Sequence, residues 1–177
     1  MLPSPAVAFA VNEERLVVDF GDQSRIAINI VGEKVVAAYR DTQHARQTIS
    51  VSPDVQALIL HSDDLRFLVG DPHSATGLAM ILSTVPSTAL GGTGYCGAGK
   101  EEYAVLLQKR ERALYLVDRY LLQSCLRSIA IDADAPDTVA SGLSIDRPAF
   151  SLTFKLLGDP AEQPTTLRVR DGKFWKQ

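Results

Sequence analysis

Long apolar runs, clustered positive charge, histidine and cysteine are all scarce in this chain, and the first three scarcities each weigh against a class of function. No apolar stretch approaches the ~20 residues that a membrane-spanning helix needs, so no such span is expected. Lys and Arg number 18 against 21 Asp and Glu, for a net charge of −3. Nucleic-acid backbones are held by clustered cations. The one basic run, KRER at Lys109–Arg112, is short and contains an acid, so no nucleic-acid partner is expected. Three histidines occur without zinc-ligand spacing, and no G-x-S-x-G motif is present. The pattern therefore demands no metal, no cofactor and no catalytic residue. What is there is a globular composition, 46% hydrophobic and 22% charged over 177 residues. That is enough for a single β-rich domain over 1–177 that needs no metal or staple to fold.

The apolar residues alternate. Arg25–Val31 sets Ile26, Ile28 and Ile30 on one face, and Ala149–Leu157 does the same with Phe150, Leu152, Phe154 and Leu156. Arg15–Phe20, Val35–Arg40, Arg46–Ser52, Val55–His61, Leu65–Gly70 and Ser128–Ala133 read as further strands. In Thr165–Trp175, Asp171-Gly172 is a tight-hairpin signal. Ser74–Val85, stopped by Pro86, is the best candidate for one short helix. The expected fold is mainly β: a single-domain antiparallel sheet or sandwich with one short helix, with α+β as the alternative.

The Gly-rich stretch GGTGYCGAGKEEYAVLLQ, Gly91–Gln108, admits two readings. Gly94–Lys100 fits G-x-x-x-x-G-K, the loop whose backbone N–H groups and Lys hold phosphates. Against it, Glu101 stands where a Mg-binding hydroxyl belongs, and no strand feeds the loop directly. The second reading is a hairpin. Cys96 and Cys125 are the only cysteines, and their midpoint falls between Arg110 and Glu111 in KRER. Folding there sets Leu107 opposite Leu114, Val105 opposite Leu116, and Glu102 opposite Arg119. A helix from Lys100 to Cys125 would hold its ends about 38 Å apart at 1.5 Å per residue. A disulfide tolerates about 7 Å between Cα atoms. A Cys96–Cys125 disulfide therefore requires the hairpin and excludes the phosphate loop.

A disulfide points to an oxidising compartment. Ala8–Ala10 has the small-x-small form of a leader-peptidase site. The expectation is an exported protein, periplasmic or secreted with its leader removed; a cytoplasmic location is the alternative. Tyr95, Tyr103 and Tyr115 are candidate contacts, because tyrosine offers apolar area with a polar tip. These features suggest a non-enzymatic binding or inhibitor-type protein that engages a protein partner through a sheet face or loops. The oligomeric state is left open. The alternative is an enzyme, nucleotide-dependent through Gly94–Lys100 or a metal-dependent hydrolase near His61 and His73. In the second case His61, Asp63, Asp64, Asp71 and His73 would have to gather at one sheet edge.

Overall fold

A computed structural model of the chain describes residues 14–22, 24–40, 47–73, 76–87, 99–133, 139–158 and 163–177. The fold is mainly β. The strands are β1 (Leu16–Asp19), β2 (Arg25–Val31), β3 (Lys34–Tyr39), β4 (Thr48–Val51), β5 (Asp64–Gly70), β6 (Leu78–Pro86), β7 (Lys100–Arg110), β8 (Ala113–Ser124), β9 (Ser144–Asp146), β10 (Ser151–Phe154), β11 (Thr165–Arg170) and β12 (Lys173–Lys176). Among the described residues one α-helix, α1 (Pro53–His61), lies between β4 and β5. The strands form an eight-stranded sheet, β1-β2-β3-β4-β8-β7-β6-β5, and a four-stranded sheet, β12-β11-β10-β9. Neighbours are antiparallel except β4 and β8, which run parallel. The large sheet curls until its two ends meet. A Cβ added to Gly70 of β5 would lie 2.2 Å from the Asp19 carbonyl oxygen of β1, so only glycine permits this approach.

Two cores result. Inside the curl, Val18, Phe20, Ile26, Ile28, Ala79, Ile81, Val105 and Leu107 pack against Val55 and Ile59 of α1. On the outer face, Met80, Leu82, Ala104, Leu106 and Leu122 meet Phe150, Leu152, Phe154 and Leu167 of the small sheet. Burial of alternating residues on β1, β2 and β3 follows the period-2 pattern.

α1 is not where the apolar pattern places a helix. The pattern predicts a helix over Ser74–Val85, but Leu78–Pro86 is a strand. Every residue from Leu78 to Val85 is buried, because β6 has a core on each face. A strand buried on both faces shows no alternation and resembles a helical run. Conversely, the pattern predicts a strand over Val55–His61, which belongs to α1. Ser52 caps α1, accepting from the Val55 N–H at 3.4 Å, and Pro53 occupies its first turn. Val55 and Ile59, four residues apart, both face the core. Ser128–Ala133, a further predicted strand, has only isolated bridges at Ile129 and Ile131.

Candidate functional site

β7 and β8 form the expected hairpin, in a different register. Its turn is the residue pair Glu111 and Arg112, with Glu111 at φ 51°. Near the turn Leu107 faces Leu116, two positions beyond the expected Leu114. A slide of two keeps every side chain on its own face, so the apolar matching that the sequence offers cannot separate the two registers. Two bulges, at Glu102/Tyr103 and Leu106/Leu107, shift the ladder further. Glu102 thus faces Gln123, and Arg119 faces Val105.

That register builds a groove between α1 and the hairpin. Ala57, Leu58, Val85, Val105 and Leu116 make its apolar lining, and Asp54, His61, Tyr103 and Arg119 edge it, enclosing about 460 Å³. Ligand-sized pockets have such volumes and such a mixture of apolar wall and few polar groups. The Arg119 guanidinium lies over the Tyr103 ring, 5.4 Å from its centre. A second cavity of about 390 Å³ shares Tyr103 and Arg119 and adds Glu101, Leu126 and Arg127.

The hairpin mouth beside the groove is held by buried polar contacts. Glu101 is 2% exposed; its Oε1 accepts from Ser87 Oγ at 2.9 Å and from the Leu126 N–H at 3.3 Å. Glu102, also buried, faces the other way and accepts from Thr84 Oγ1 at 3.1 Å, while its Oε2 has no protein partner. Burial pushes the Glu102 carboxyl up from the usual range. The Thr84 hydrogen bond and the Lys100 and Arg66 charges oppose that rise, and the Asp64 charge adds to it.

Of the candidate binding tyrosines, Tyr103 lines the groove and Tyr115 does not. Tyr115 pairs with Gln108 near the turn, is 40% exposed, and lies under Arg110 at 5.8 Å. Tyr95 lies outside the described residues. So does Cys96; Cys125 has no free thiol. Its side chain sits against Gly99, at the start of the hairpin.

Among the described residues, the side chains that the enzyme alternatives call on are not gathered into one site. Lys100 opens strand β7, whereas a phosphate loop needs its Lys at the start of a helix; Gly94–Ala98 lie outside the described residues. His61 ends α1 and His73 follows β5, so seven strand residues, roughly 20 Å, separate them. His61 Nδ1–H donates to the Ala57 carbonyl at 2.7 Å. Asp71 accepts from the His73 N–H at 2.9 Å and from the Thr76 hydroxyl. Among the described residues no three His, Cys, Asp or Glu side chains form a metal-binding group. No described helix is long and apolar enough to cross a membrane.

No family model, curated protein or solved structure matches this chain.

Sequence reasoning missed the groove because one of its walls is α1, which the apolar pattern alone reads as a strand. The start signal Ser52-Pro53-Asp54 is the feature that could have found it.

Proposed function

We propose that this is a non-enzymatic, exported binding protein of the inhibitor type, which holds a protein partner in the groove between α1 and the β7–β8 hairpin. The observation that carries this reading is an apolar lining edged by Asp54, His61, Tyr103 and Arg119. Anchor residues of protein partners fill pockets of that kind, with a polar rim around them. Export rests on a Cys96–Cys125 disulfide across the hairpin mouth. The absence of a free thiol at Cys125 and its contact with Gly99, three residues from Cys96, support that pairing.

The test is retention. Ala57 is exposed on the groove edge, so Ala57→Arg obstructs the groove without entering a core. Immobilised wild-type protein, Ala57→Arg and the remote control Lys176→Glu are offered the same envelope extract. A partner kept by wild type and Lys176→Glu, and lost by Ala57→Arg, supports the reading. Equal retention by all three overturns it.

A further inference from the structure

We infer that the groove recognises a free carboxylate carried on an aliphatic group, the C-terminal aliphatic residue of the partner chain, and that Arg119 is the group that reads the charge. The inference rests on the groove being the partner site. The cationic head of Arg119 is already positioned by its stacking on Tyr103 at 5.4 Å, yet among the described residues it makes no ion pair. Some exposed arginines in this fold meet carboxylates, as Arg66 meets Asp64 at 2.7 Å and Arg40 meets Glu14 at 2.7 Å, and others, Arg112 and Arg168 among them, make no ion pair among the described residues. A guanidinium fixed on an aromatic face presents a planar fork that matches a carboxylate. Arg127, in the adjoining cavity, makes no ion pair among the described residues either and adds positive charge on that side.

The spacing restricts the ligand. Arg119 sits directly opposite Val105, part of the apolar lining. Directly paired residues have Cβ atoms about 5 Å apart. A carboxylate at Arg119 and an aliphatic body against the groove lining can therefore belong to one ligand. A C-terminal leucine, isoleucine or valine has that form. A volume of about 460 Å³ admits such a residue and one or two before it.

The probe is N-acetyl-leucine, compared with N-acetyl-leucinamide and octanoate, titrated into the full chain and followed by amide and Arg Nε–H shifts. N-acetyl-leucine is expected to perturb Tyr103, Val105 and Arg119 saturably and to bind at least ~10-fold tighter than the amide, as expected for a hydrogen bond to a charged group. Arg119→Met should bring the acid down to the affinity of the amide, and Arg119→Lys should fall between. Equal binding of acid and amide overturns the carboxylate inference while leaving the groove as a partner site. Octanoate binding far tighter than N-acetyl-leucine overturns the chain-end assignment in favour of a free aliphatic acid. A dimer dispersed by Ala57→Arg assigns the groove to a second copy and overturns it too. No groove shifts with any probe, together with unchanged partner retention by Ala57→Arg, removes the site itself.

Discussion

Gly99 runs directly against Cys125: a Cβ added at Gly99 would stand 2.6 Å from the Cys125 Cβ and 2.7 Å from its sulfur. The same added atom would lie 3.1 Å from Ser87 Oγ, the donor to buried Glu101. Gly99→Ala therefore overpacks the hairpin mouth and should cost about 1–3 kcal/mol. Urea unfolding measures this; an unchanged midpoint contradicts it.

The proposed disulfide has a mass signature. Alkylation of denatured, unreduced protein should add no label, and reduction first should add two. Reduction should also lower stability by about 3–4 kcal/mol, from the chain entropy of the loop it closes. Two labels without reduction would remove the basis for export.

Glu102 sets a pH dependence of known sign. Burial raises its folded-state pKa above the unfolded value. Its contribution is most favourable below the unfolded pKa and is lost as pH rises through the raised folded pKa. Glu102→Gln, which keeps an acceptor for Thr84 without a charge, should flatten that decline and be at least as stable as wild type at neutral pH. A less stable variant with an unchanged pH slope would contradict it.

Asp22 acts in the opposite direction. Burial alone would raise its pKa, but hydrogen bonds from Lys109 and Ser24 and the Lys109 charge outweigh that and lower it. Its contribution is present above the unfolded pKa and is lost as pH falls through the lowered one. Lys109 Nζ lies 2.5 Å from Asp22 and 2.8 Å from Ser24 Oγ, with the Lys109 side chain largely covered and Asp22 at the surface. Lys109→Met should cost about 1–2 kcal/mol at neutral pH, between exposed and buried ion pairs, and less in acid. Thermal unfolding at two pH values separates the terms.

Much of this fold is legible where one face of a strand is wet. Arg25–Val31 is β2 at its expected bounds, and Asp171-Gly172 turns β11 into β12 with both residues at positive φ. Legibility fails where tertiary burial removes the alternation, as along β6, or where a cap outweighs it, as at Ser52. Of the site, Tyr103 and the hairpin could be read in advance. Arg119 could not, because two bulges decide what it faces. That Tyr115 lies away from the groove, and that the length of β5 separates His61 from His73, follow from register and distance that no local pattern carries.

β6 hands Ala79 and Ile81 to one core, and Met80 and Leu82 to the other. Neither oily layer can be stripped away while the other keeps its lining. Partial melting is thereby denied an obvious stopping point, and the whole molecule should come apart in a single step. Its β6 amides should be among the last to trade protons with solvent.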